Sequence, residues 1–225
     1  MPLQTDPQPR RQPKQLRSRM MVETTVEAAR QVFAEHGFEA ATTNQIADRA
    51  GISIGSLYQY FPNKDSLILA VHKKHHEEVL AVVKGAMDRS QHLPLKDAIR
   101  HIIAANLEMH MKTPRLHTEF DAWIPARSKL VDQDGFQNEM AQIVLNFLSK
   151  RPDLQKGDQL KPAVIVIMNM VRSVLHATVG SVSDAESREQ MLDHLCAGIY
   201  GSLNTVVQPL GQDVSAPAPA SDGFG

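Results

Sequence analysis

The sequence predicts an all-α protein, and three observations carry that expectation. Apolar residues recur at the three- and four-residue spacing of a helix from Val22 to Val206. Helix-starting and helix-stopping residues fall between these periodic stretches, and no alternating run is long enough for a strand. No internal repeat of fixed period competes with this reading. With 225 residues, 42% hydrophobic and 22% charged, the chain has the composition of a folded globular protein with room for one large domain or two smaller ones.

Pro2, Pro7, Pro9 and Pro13 interrupt the first segment, so residues 1–18 read as a flexible arm. The arm is basic: Arg10, Arg11, Lys14, Arg17 and Arg19 follow one another with no acid between Asp6 and Glu23. A first helix then carries Val22, Val26, Ala29 and Phe33 on one face and stops at Gly37, a left-handed cap followed by apolar Phe38. A long helix starts at Asn63, with Asp65 in its positive first turn and Leu67, Val71, His75 and Val79 along one face, and runs to about Ser90. Further helices are expected over 95–111, 116–122, 135–149, 158–179 and 184–206. The stretch 123–134, with Pro125, is the longest irregular connection, and residues 208–225, with Pro209, Pro217 and Pro219 among Ala, Ser and Gly, read as a disordered tail.

Between the first and long helices the punctuation is densest. Residues 42–64 read TTNQIADRAGISIGSLYQYFPNK. Thr42 and Gln45 form a capping box, Ile46, Ala47 and Ala50 give a short helix its inner face, and Gly51 ends it. Ile52 plugs the turn, Ser53 caps the next helix, and Leu57 and Phe61 supply its buried side. Two short helices joined this way make a helix-turn-helix, whose second helix enters the DNA major groove. That assigns Ile54, Gly55, Ser56, Tyr58, Gln59 and Tyr60 to the DNA-facing surface, with Thr43 and Lys64 framing it against phosphates. Gln59 has the paired donor and acceptor that suit adenine, and the tyrosine hydroxyls reach phosphates. Gly55 costs about 1 kcal/mol against Ala inside a helix, which points to a close backbone approach.

The words FAEHGFEAATTNQIADRAGISIGSLYQYFPNKDSLI, from about residue 32 to 68, resemble the TetR family of bacterial transcriptional regulators. The pattern G-F, T-T, I-A, A-G, S-x-G-S-L-Y-x-Y-F and N-K is met in order and at the family's spacing. The resemblance implies a DNA-binding domain at 19–64 and a larger helical effector-binding and dimerisation domain at 65–207. It also implies a homodimer that represses transcription from a pseudo-palindromic DNA operator and is released by a small organic effector. An activator or architectural DNA binder without an effector, or a helical enzyme, are the alternatives.

Composition narrows these choices. Lys plus Arg is 24 against 25 for Asp plus Glu, which excludes a uniformly cationic nucleic-acid binder; residues 1–64 nevertheless carry +2 and the remainder -3. The lone Cys196 excludes an intramolecular disulfide and multi-cysteine metal sites, and fits the cytosol. No secretory signal is expected, and the apolar stretch 163–168, broken by Asn169, Arg172 and His176, predicts no membrane span. No catalytic or cofactor motif organises chemistry, so neither an enzyme nor a cofactor is expected. His72, His75 and His76 beside Glu77 and Glu78 read as a solvated helix face, and His92, His101, His110 and His117 show no fixed pairing, so no metal site is assigned.

Adaptable and aromatic side chains, Met109, Phe120, Trp123, Phe147 and Met168, are candidates for an effector pocket, with Arg172 oriented toward an anionic group. Val171 and Leu175, with Leu192, Leu195, Ile199 and Leu203 at helical spacing on the last helix, are candidates for a dimer seam.

Overall fold

The computed structural model describes residues 16–124, 133–154, 160–182 and 184–206. Among them lie helices α1 (Leu16–Ala40), α2 (Thr43–Ala50), α3 (Ile54–Tyr60), α4 (Lys64–Arg89), α5 (Leu95–Met111), α6 (Pro114–Trp123), α7 (Gln133–Ser149), α8 (Leu160–Ser181) and α9 (Ala185–Val206), and no strand. The all-α expectation holds, and the helices fall close to the expected spans. Most of the connection read at 123–134, most of the arm, and the tail lie outside the described residues. The arm is shorter than expected, because α1 begins at Leu16 and so carries Arg17 and Arg19 on a helix.

Gly37 does not adopt the simple left-handed cap. Its φ of 81° and ψ of 169° kink the end of α1 in a region that only glycine enters freely. A Cβ there would also collide with the Glu119 carboxylate of α6. The kink turns Phe38 inward, where its ring meets Phe33 edge-on at 5.0 Å and Phe120 at 5.2 Å. Glu119 accepts a 2.9 Å hydrogen bond from the Phe38 amide, and the Arg115 guanidinium donates to the Glu35 carbonyl. α6 is therefore bolted to the end of α1.

The apolar side chains separate into two cores. The first joins α1, α2, α3 and the beginning of α4, with Phe33, Ile46, Leu57, Phe61 and Leu67 at its centre, and takes Leu116, Phe120 and Trp123 from α6. The second joins the rest of α4 to α5, α7, α8 and α9. The border expected at residue 64 is thus not where the cores divide: α4 belongs to both, and α6 belongs mainly to the first. Arg151, buried just after α7, closes one end of the second core by donating to the Ser90 and Leu93 carbonyls while Asp153 neutralises it.

Two sequence expectations change in the second core. Leu175, Leu192, Leu195, Ile199 and Leu203, read as a dimer seam, are buried inside the single chain, where α9 packs on α5 and α8; Val171 is half-buried. α8 is also long and apolar enough to cross a membrane, with a mean hydropathy of 1.6 in its most apolar window, against the expectation of no such segment. Its buried side packs on α5, α6, α7 and α9, while Ile165 and Val166 stand 60% and 51% exposed on the other.

Candidate functional site

The first site is the exposed side of α3. Local chemistry builds it as expected. The Thr42 hydroxyl accepts from the Gln45 amide while the Gln45 side chain accepts from the Thr42 amide, which starts α2. Gly51, at φ 67° and ψ 32°, ends it in the left-handed conformation. The Ile52 amide then bonds back to the Ala47 carbonyl, and the Ser53 hydroxyl accepts from the Ser56 amide to start α3. Leu57 and Phe61 are buried, so α3 is held by one side and the opposite side is fixed in direction.

On that opposite side Ile54, Gly55, Tyr58 and Gln59 are exposed. Ser56 and Tyr60 are half-buried, Ser56 within hydrogen-bond distance of the Ser53 hydroxyl and Tyr60 against the first core. Thr43 lies 2.9 Å from the Tyr58 hydroxyl, tying the start of α2 to the middle of α3. The Lys64 ammonium donates to the Glu39 and Ala41 carbonyls at 2.9 and 3.1 Å, so it braces the end of α1 as well as framing α3. Sequence reasoning missed the brace behind this surface. Arg49 of α2 grips Glu35 of α1 through two hydrogen bonds of 2.7 and 2.8 Å, and that pairing holds the Glu35 carboxyl below its usual range. No spacing rule links residues fourteen apart on two helices.

The second site is a cavity of about 510 Å³ lined by α4 to α9. Val79, Val83, Met87, Ile103, Met140, Phe147 and Leu203 give it apolar walls. Of the expected effector residues, Phe120, Phe147, Met168 and Arg172 line it. Trp123 and Met109 do not: Trp123 packs edge-on to Phe38 in the first core, and Met109 packs against the second. Asn169, Arg172 and His176 all line the cavity, so the polar stripe of α8 faces it.

Six of the ten histidines line this cavity: His72, His75, His76, His110, His117 and His176. The solvated-face reading of the α4 histidines is therefore wrong. His72 and His75 are buried, and His76 stacks on Phe136 with ring centres 3.9 Å apart. Burial lowers the His72 pKa to about 3, with His76 adding to the effect. Burial likewise takes His75 to about 2 and His117 to about 3, helped by neighbouring imidazoles, and lowers His110. These rings are neutral at ordinary pH. His75 lies on the face expected for it, with Leu67, Val71 and Val79, and that face is the buried one; His110 continues the buried stripe of Ile99, Ile103 and Asn106, which was not marked from the sequence.

Fold and sites together define a helix-turn-helix protein whose further helices line a ligand-sized cavity. Residues 26–71 match the family described as bacterial regulatory proteins, tetR family, and residues 94–201 match the tetracyclin repressor-like C-terminal domain. The chain belongs to the TetR family of bacterial regulatory proteins. It is 43% identical over 60 residues, 27% of each chain, to the HTH-type transcriptional activator FasR of Mycolicibacterium smegmatis. It is 31% identical over 121 residues to the HTH-type transcriptional repressor KstR2 of Rhodococcus jostii, covering 54% of this chain and 50% of that one. The chain thus spans between about a quarter and a half of the length of these curated relatives. A TetR-family regulator structure from Mesorhizobium loti superposes with a TM-score of 0.68 over 85% of this chain and 98% of that one, at 16% identity, a likeness of fold.

Proposed function

We propose that the chain is a homodimeric transcriptional regulator that reads a pseudo-palindromic operator with α3 and is released from it by a small organic effector in the α4–α9 cavity. The observation that carries this reading is the continuity between the two sites. α6 supplies His117, Phe120 and Asp121 to the cavity, and through Arg115 and Glu119 it is bonded to the end of α1. α4 runs from the Asn63 cap beside α3 to Met87 on the cavity wall. An effector that moves either helix shifts α3 relative to its copy in the dimer, so ligand and DNA oppose one another.

The cavity favours an effector-responsive regulator over one with a collapsed core, since its volume and mostly apolar wall suit a drug-sized organic molecule. The exposed Val166 of α8, on one face with exposed Ser173 and Ala177, replaces the buried α9 stripe as the dimer face. Selection of operator sequences from a random double-stranded pool, followed by competition with a panel of small molecules, tests both halves. Tyr58→Ala and Gln59→Ala are expected to lose specific footprints while remaining dimeric. Footprints unchanged in both variants would remove the α3 assignment, and operator binding unaltered by a demonstrated cavity ligand would remove the release mechanism.

A further inference from the structure

We infer that His75, His110 and His117 form a binding site for a divalent transition metal of the zinc, cobalt and nickel group inside the cavity. One imidazole nitrogen from each lies within 4.8 Å of the other two, and the three come from α4, α5 and α6. Ring centres are 4.3 Å apart for His110 and His117, 4.5 Å for His75 and His117, and 5.4 Å for His75 and His110. Tetrahedral zinc with nitrogen ligands at about 2.0–2.1 Å needs donors roughly 3.3 Å apart, so the donor atoms have to close by up to about 1.5 Å to complete the site. Rotation of the rings, which turns their donor atoms toward a common point, is the movement this would require.

Two further observations point to a ligand. The Nε2 atom of His117 is buried and has no hydrogen-bond partner among the described residues, and neither has Oδ1 of Asn106, which lines the same cavity. A buried polar atom without a partner is costly, and a metal on Nε2 removes that cost. His110 is oriented as metal-bound histidines are: its Nδ1 is 2.8 Å from the Asn106 carbonyl, which fixes the N–H there and leaves Nε2 as the free lone pair.

Donor chemistry sets the class of metal. Three imidazoles suit zinc, cobalt, nickel or copper and not magnesium or calcium, which prefer oxygen. A fourth position is left toward the cavity. His176 stands beside it, its ring centre 6.1 Å from that of His117, and its Nδ1 is held by Asp121 at 2.6 Å, the carboxylate–histidine pairing that orients zinc-bound imidazoles. The inference does not depend on the regulatory reading, because metal binding is measured without DNA.

The test uses untagged, chelator-stripped full chain titrated with Co²⁺, followed by visible absorption, with Zn²⁺ as competitor. One saturable site per chain is expected, with the intense ligand-field bands of low coordination. His110→Gln and His117→Gln are expected to weaken binding about a hundredfold or more, while the exposed His101→Gln and His194→Gln leave it unchanged. X-ray absorption of the zinc-loaded wild-type chain needs no variant and should count at least three imidazole ligands. Absence of a stoichiometric site, fewer imidazoles, or full affinity in correctly folded His110→Gln and His117→Gln chains overturns the proposal.

Discussion

The first core and the cavity-bearing second core are built from the same kinds of helix and differ in what fills their centres. Around α3 the interior is closed and mostly apolar: Phe33, Ile46 and Leu57 have no exposure at all, and the buried Thr25 and Ser66 hydroxyls are hydrogen-bonded to backbone carbonyls. Around the cavity the interior keeps about 510 Å³ open and lines it partly with imidazoles, two polar atoms of which lack partners when Asn106 is included. A surface that must hold side chains in fixed directions needs a core with one low-energy packing. A pocket that must admit a ligand tolerates imperfect packing and stores polar groups that only the ligand satisfies.

Equal truncations on the two sides sharpen that contrast. Phe33→Ala is expected to cost about 3–5 kcal/mol, whereas Phe147→Ala, beside an existing void, should cost roughly half as much. Chemical denaturation of both variants checks this, and equal losses would mean that the cavity collapses in solution. Acid should separate the cores next. His72, His75 and His117 have folded pKa values near 3, 2 and 3 against 6.5 when unfolded. The unfolded chain therefore binds more protons below pH 6.5, so stability is complete above that pH and falls as the pH drops toward the folded values. In metal-free protein the three together should cost about 2–3 kcal/mol between about pH 7.5 and pH 6. Hydrogen exchange should show the loss first around the cavity, in α5 and α6; uniform loss across α1 to α3 would break the contrast.

The smallest expected effect falls on the joint between the cores. Gly37→Ala places a side chain in a positive-φ position and against Glu119, at a cost of about 1–3 kcal/mol. If α6 carries the coupling, the change should weaken the effect of a cavity ligand on operator binding more than it weakens operator binding itself. Titrations of DNA with and without ligand separate the two, and a variant with intact coupling would direct attention to α4 alone.

Much of this was legible in one dimension. The capping box at Thr42, the left-handed Gly51, the Ser53 cap and the Asn63 cap are local events, each settled by a few neighbouring residues, and all occur where the sequence placed them. The helix-turn-helix followed from them, and with it the exposure of Tyr58 and Gln59. The family pattern lies over the same residues, 26–71 in the matched region. The histidines were misread for the opposite reason. His75, His110 and His117 are thirty-five and seven residues apart along the chain, and only the crossing of α4, α5 and α6 brings their rings together.

The amino-acid sequence by itself determined the helices, the caps around α2 and α3 and the direction in which α3 faces, because hydrogen bonds within a turn and the period of apolar residues act over a few positions. Only the tertiary structure decided which apolar stripes meet. The Leu192, Leu195, Ile199 and Leu203 face announces that α9 buries one side, but its partners turn out to be α5 and α8 of the same chain. A stripe encodes the need for burial and is silent about what provides it, since the hydrophobic effect has no direction and no preferred partner.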